Sequence, residues 1–167
     1  MKKVGIVMGS DSDLPVIQKT ADTLRALDVE FEVHVYSAHR TPVEAREFAL
    51  SARSMGFGVI IAAAGMAAHL AAAIAANTTL PVIGVPVKGM LDGLDAMLSI
   101  IQMPPGIPVA TVGVNGGLNA AILAAEMLAL TDEGIAKKVA DYKENLKNKI
   151  TKANEELKGI QYKYKTN

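Results

Sequence analysis

Five short apolar runs recur along the chain, Val4–Met8, Phe31–Tyr36, Val59–Ala63, Val82–Val85 and Val109–Val112, each followed by small or turn-forming residues. Most of them lack strict alternation between apolar and polar positions, so as a set they read as the buried strands of a parallel sheet. Segments with helical periodicity separate them. The first places Val16, Ile17, Leu24 and Leu27 on one side and Lys19, Asp22 and Arg25 elsewhere. The second opens on Thr41-Pro42-Val43-Glu44, with a capping hydroxyl, a proline at the first helical position and a glutamate three residues after the cap. That pattern predicts a capping box and a helix from about Pro42 to Met55. Buried strands alternating with helices predict an α/β fold: a three-layer, doubly wound parallel sheet of about five strands, flavodoxin- or Rossmann-like. In such a sheet, ligands gather at the carboxyl ends of the strands.

After the last run the pattern changes. From Asp132 to about Leu157, Ile135, Val139, Tyr142, Leu146 and Ile150 recur at helical spacing among lysines and glutamates, which predicts a long C-terminal helix outside the sheet. Its stripe needs a surface, on its own domain or on a neighbouring subunit. The segments Ala67–Ala76 and Gly116–Leu130 are apolar almost all round, and a sheet covers only one side of a helix, so a homo-oligomer is expected. The expected organisation is an α/β catalytic domain over 1–131, the packed C-terminal helix over 132–160 and a flexible tail over 161–167. A length of 167 residues suits one domain with a substantial core.

Several function classes lose support. Seventeen basic residues balance 17 acidic ones, so no broad electrostatic footprint for nucleic acid or an anionic membrane exists. The absence of cysteine removes thiolate metal sites and thiol nucleophiles. Met1-Lys2-Lys3 runs straight into the first strand without a signal-type apolar stretch, and the longest apolar segments are broken by Gly65, His69, Asn77, Asn119 and Glu126. The expectation is a cytoplasmic protein with no membrane span. The eight methionines suit packing, and no residues have metal-ligand spacing, so neither metal nor cofactor is expected.

The chemistry-bearing residues fall at strand ends. Gly9-Ser10-Asp11-Ser12-Asp13 precedes a helix with Pro15 in its first turn, where glycine, hydroxyls and free N–H groups suit a phosphate. The same residues would serve equally if Ser12 or Asp13 merely capped the helix. Neither G-x-G-x-x-G nor G-x-x-x-x-G-K-[ST] is present, and Asp13 suits a ribose diol better than a phosphate. Ser37-Ala38-His39-Arg40 follows the second strand and offers a bidentate anion fork beside a side chain that titrates near neutral pH. The third strand leads into Ala64-Gly65-Met66-Ala67-Ala68-His69-Leu70, a small-residue turn against which a flat ligand could lie. His69 there reads as a core or capping histidine, with a secondary catalytic role as the other reading. Gln102-Met103-Pro104-Pro105-Gly106-Ile107-Pro108 is either a rigid lip on the site or a helix terminator. Asn115-Gly116-Gly117 repeats the glycine-then-helix theme, or is only a turn.

Taken together, these blocks and Gly84-Val85-Pro86-Val87 resemble, in order and over nearly the whole chain, the class I PurE proteins of bacterial purine synthesis. The resemblance implies an N5-carboxyaminoimidazole ribonucleotide mutase, which moves a carboxyl group from the exocyclic nitrogen to C4 without metal or organic cofactor. It implies that His39 is the acid and then the base. It implies further that Ser10, Ser12 and Arg40 hold the 5′-phosphate, that Asp13 holds the ribose, and that Ser37, Ala64, Gly65 and Leu70 line the base and carboxylate. A homo-octamer, its C-terminal helix reaching a neighbour, is implied too, as is coupling to the ATP-dependent synthetase that makes the substrate. Where the family reads Gly-Gly-Ala-Ala-His-Leu-Pro-Gly, this chain has Met66, Ala71 and Ala72 in place of a glycine, the proline and the last glycine. The alternatives are a direct aminoimidazole ribonucleotide carboxylase and a non-catalytic ribonucleotide-binding module.

Overall fold

The structure, a computed structural model, describes residues 2–160, so the expected tail over 161–167 lies outside the described residues. Five parallel strands form one sheet in the order β2-β1-β3-β4-β5. They are β1 (Lys3–Met8), β2 (Phe31–Val35), β3 (Phe57–Gly65), β4 (Val82–Val87) and β5 (Ala110–Thr111). The helices are α1 (Leu14–Ala26), α2 (Pro42–Ser51), α3 (Leu70–Ala75), α4 (Leu94–Ile101), α5 (Gly117–Ala129) and α6 (Glu133–Lys158). The expected doubly wound three-layer fold is thus present, in the flavodoxin-like strand order.

Alternation along the strands sorts the core into two layers. Val4, Ile6, Val59, Ile61, Ile83 and Val85 pack against α1, α5 and α6, whereas Val7, Ile60, Ala62 and Val82 pack against α2, α3 and α4. On the first face α1 and α5 meet at Gly117, where an added Cβ would lie 2.4 Å from the Val16 carbonyl oxygen. Buried Thr20 donates its hydroxyl to the Gly117 carbonyl at 2.9 Å, closing that seam. The apolar girth of α5 is therefore met within one chain, by the sheet, α1 and the first half of α6, and does not require a neighbour. Only Ile135 and Val139 of α6 are buried, and Leu146 and Ile150 of its stripe are exposed.

Several boundaries differ from those read in the sequence. Helix α2 ends at Ser51 rather than Met55, because a turn through Gly56, at φ +90°, re-aims the chain into β3. Its capping box does not form: the Thr41 hydroxyl instead accepts from the Ser37 N–H at 2.8 Å. Helix α3 starts at Leu70, not Ala67, because Met66 is left-handed at φ +54° and the His69 N–H closes a turn onto the Ala67 carbonyl. Strand β5 keeps only Ala110 and Thr111, paired with Ile83 and Gly84; Pro108, which has no N–H to offer a ladder, lies just before it. Among the described residues, no helix is long and apolar enough to cross a membrane.

Candidate active site

The strand order reverses between β1 and β3, whose outgoing connections leave to opposite faces, and the crevice opens there at the carboxyl ends of the strands. A cleft of about 560 Å³ lies at this point, walled by the loops that follow β1, β2, β3 and β4. The residues expected to act on or bind a substrate line it together: Ser10, Ser12, Asp13, Ser37, His39, Arg40, Ala64, Gly65, His69 and Leu70.

The β1 loop is organised by Ser10 rather than by Ser12. The Ser10 hydroxyl oxygen accepts from the Ser12 N–H at 3.3 Å and from the Ser12 hydroxyl at 2.9 Å. In return, the Ser10 N–H donates to the Asp13 carboxylate at 3.2 Å, which completes a capping box over the short 3-10 turn Asp11–Asp13 ahead of α1. Asp13 is buried, and burial raises its pKa above the usual carboxylate value; the Ser10 and Gly9 N–H groups and the Arg40 guanidinium pull the other way.

The β2 loop is a turn wound around one hydroxyl. The Ser37 oxygen accepts from the His39 N–H at 3.3 Å and from the Arg40 N–H at 3.1 Å, so it positions both side chains. Arg40 then reaches across to β1 and donates from Nη2 to the Gly9 carbonyl at 2.7 Å, beside Asp13. Its guanidinium thereby faces the hydroxyl pair, an arrangement suited to an anion.

His69 lies at the N-cap of α3 rather than inside a helix, and is exposed to the cleft. Its Nδ1 stands 2.8 Å from His39 Nε2, with the rings edge to face. One proton must sit between these nitrogens, so each histidine constrains the other's tautomer. The bland reading of His69 overlooked this contact, which joins residues 30 apart in the chain and has no local signal. Ala64 and Gly65 bring the end of β3 close to the floor of the cleft, and buried Leu70 adds an apolar wall.

Of the two readings of the proline-rich loop, the helix terminator fits: the loop follows the end of α4 at Ile101 and does not line the cleft within one chain, whereas Val87 at the end of β4 and Lys88 and Gly89 after it do. Asn115 stands behind that segment, outside the cleft lining: it is left-handed at φ +57° and accepts from the Lys88 N–H at 2.8 Å. Among the described residues, no group of three or more His, Cys, Asp or Glu side chains could hold a metal ion.

Fold and cleft together define a flavodoxin-like α/β protein with a small-molecule crevice at its switch point. The profile of the AIR carboxylase family matches residues 3–149, and the chain belongs to that family. It is 54% identical over 153 residues to the N5-carboxyaminoimidazole ribonucleotide mutase of Methanocaldococcus jannaschii, covering 92% of this chain and 96% of that one. With the protein of the same name from Thermotoga maritima it shares 50% identity over 164 residues, 98% of this chain and 96% of that one. The phosphoribosylaminoimidazole carboxylase of Candida glabrata is 48% identical over 160 residues, 95% of this chain but 28% of that protein. A crystal structure of Treponema denticola PurE superposes with a TM-score of 0.87 at 29% identity, covering 95% of this chain and 99% of that one.

Proposed function

We propose that this protein is an N5-carboxyaminoimidazole ribonucleotide mutase of purine biosynthesis. Its separately encoded relatives of matching length carry that name, which favours the mutase over the direct carboxylase. The observation that carries the chemistry is the His39–His69 contact at 2.8 Å, in a cleft whose other end holds Ser10, Ser12 and Arg40.

In this reading Ser10, Ser12 and Arg40 hold the 5′-phosphate and Asp13 the ribose hydroxyls. Protonated His39 donates to the exocyclic nitrogen as its bond to the carboxylate carbon breaks. The bond's electron pair stays on nitrogen, and carbon dioxide is released beside C4. The walls formed by Ala64, Gly65 and Leu70 keep carbon dioxide from escaping. The C4 electron pair then attacks the carbon, and neutral His39 removes the C4 proton, which restores the aromatic ring and the imidazolium. No atom or electron is left over. General acid–base catalysis of this kind contributes about 10²–10⁴ in rate, and holding carbon dioxide beside C4 supplies the rest. His69 fixes the His39 tautomer.

The division into a catalytic unit over 1–131 and a helix over 132–160 that docks on a neighbour is part of the same reading. Leu94, Leu98 and Ile101 of α4 and Leu146 and Ile150 of α6 are exposed apolar surface that supports a homo-oligomer, in this family an octamer. Cytoplasmic placement and supply by an ATP-dependent synthetase complete the proposal.

The test follows absorbance as the protein meets freshly generated N5-carboxyaminoimidazole ribonucleotide, with aminoimidazole ribonucleotide plus bicarbonate in parallel. Turnover of the first alone, indifferent to bicarbonate, is expected. Efficient turnover of the second would move the assignment to a direct carboxylase, and neither would leave a binding module.

A further inference from the structure

The cleft holds two permanently charged cations among its described lining residues, Arg40 and Lys88, and the proposed function uses only the first. Arg40 follows β2 and Lys88 follows β4, and in the sheet order β2-β1-β3-β4 these are separated by three strand spacings, about 14 Å. A substrate with a phosphate at one end and a carboxylate near its ring needs a positive charge at each end. Arg40 is committed to the β1 end by its bond to the Gly9 carbonyl. The other end has only Lys88.

Lys88 is built in rather than loosely attached. Its N–H is held by Asn115 Oδ1 at 2.8 Å, and the Asn115 N–H is in turn anchored on the Pro86 carbonyl at 2.8 Å. Its ammonium is turned toward Asp92 Oδ1 at 2.9 Å, in a loop where Leu91, Asp92 and Gly93 are all left-handed, at φ 48°, 54° and 88°. Both partners are largely solvent-exposed, so the pair is weak and easily exchanged. A substrate carboxylate in the cleft can replace Asp92 on the ammonium, leaving the exposed Asp92 carboxylate to water.

We infer that Lys88 is the specificity-determining residue that recognises the migrating carboxylate, so the protein distinguishes carboxylated from uncarboxylated aminoimidazole ribonucleotide through this side chain. The inference rests on the proposed function and extends it to a residue outside the acid–base machinery. The test is calorimetric titration of the full chain with 4-carboxy-5-aminoimidazole ribonucleotide and, separately, with aminoimidazole ribonucleotide. Lys88→Met is expected to weaken the carboxylated ligand by about tenfold or more, the scale of a charge-assisted hydrogen bond, and to leave the uncarboxylated ligand within about twofold. Lys88→Arg should restore most of the difference. Asp92→Asn removes the same ion pair but keeps the ammonium, and should retain the discrimination. Equal weakening of both ligands in Lys88→Met, unchanged discrimination in it, or loss of discrimination in Asp92→Asn would overturn the inference alone. Failure of the unaltered protein to bind either ribonucleotide would overturn the underlying reading and this inference with it.

Discussion

The two faces of the sheet are finished differently. On one, α1 and α5 are pressed together at Gly117, α6 covers α5, and Ala120, Ala121, Ala124 and Ala125 of α5 are fully buried. On the other, α2, α3 and α4 are short, and Val43, Leu50, Leu94, Leu98 and Ile101 remain exposed. The cleft straddles both. Its hydroxyl and carboxylate end is carried by the turn into α1 on the sealed face, while His39 and His69 precede α2 and α3 on the open one. Of the proposed anion site, Ser10 and Ser12 sit on the more tightly packed layer, and Arg40 reaches them from the loop ahead of α2. The histidines proposed to exchange protons sit on the layer whose outer side chains remain exposed.

The contrast predicts different failures. On the open face, His39→Asn should lower turnover by at least about a hundredfold while ligand binding and melting temperature stay close to those of the unaltered protein; turnover like the unaltered protein's would remove His39 from the chemistry. On the sealed face, Gly117→Ala should cost about 2–3 kcal/mol in urea unfolding, because its methyl meets backbone that cannot move aside. A loss below about 0.5 kcal/mol would mean that the seam is no tighter than ordinary surface.

The binding end should respond to pH. Folded Asp13 holds its proton more tightly than the unfolded chain does, so its contribution to stability is greatest below the ordinary carboxylate pKa and is lost as pH rises through the raised value. Compared by urea midpoints, the advantage of the unaltered protein over Asp13→Asn should therefore shrink from about pH 3.5 to about pH 7. An advantage that grows over that range would reverse the assigned cause. The smallest effect is expected at the β3 turn, where Met66 adopts the left-handed conformation that a glycine in the family's pattern takes freely. Met66→Gly relieves that strain but gains chain entropy in the unfolded state, for a net stabilisation of about 0.5 kcal/mol by thermal melting. Destabilisation would show that the Met66 side chain makes contacts worth more than the strain.

Much of this architecture was legible because burial on both faces leaves β1, β3 and β4 as nearly unbroken apolar runs, and because loops at strand ends announce themselves with glycine, serine and proline. The strand order follows from tertiary packing and carries no local mark. Thr41-Pro42-Val43-Glu44 misled because the threonine hydroxyl has two competing backbone partners, and the Ser37 N–H took it. The candidate residues were found wherever a motif was local, as in Ser37-Ala38-His39-Arg40. His69 was left between a capping and a secondary catalytic role, and Lys88 was not singled out, because their contacts with His39 and Asn115 span 30 and 27 residues. A lysine after an apolar strand looks like any solvated charge until the strand's position in the sheet is known.

The histidine contact has one more consequence. His39 follows β2 and His69 follows β3, and these strands never touch, because β1 runs between them. The 2.8 Å separation therefore depends on two independent alignments, Met8 against Val35 and Met8 against Ala63. A slip of one residue in either ladder would displace a ring by about 3.3 Å and turn the strand's side chains over. The imidazole pair works as a vernier scale for the sheet: a chain paired out of step in either ladder would lose the contact.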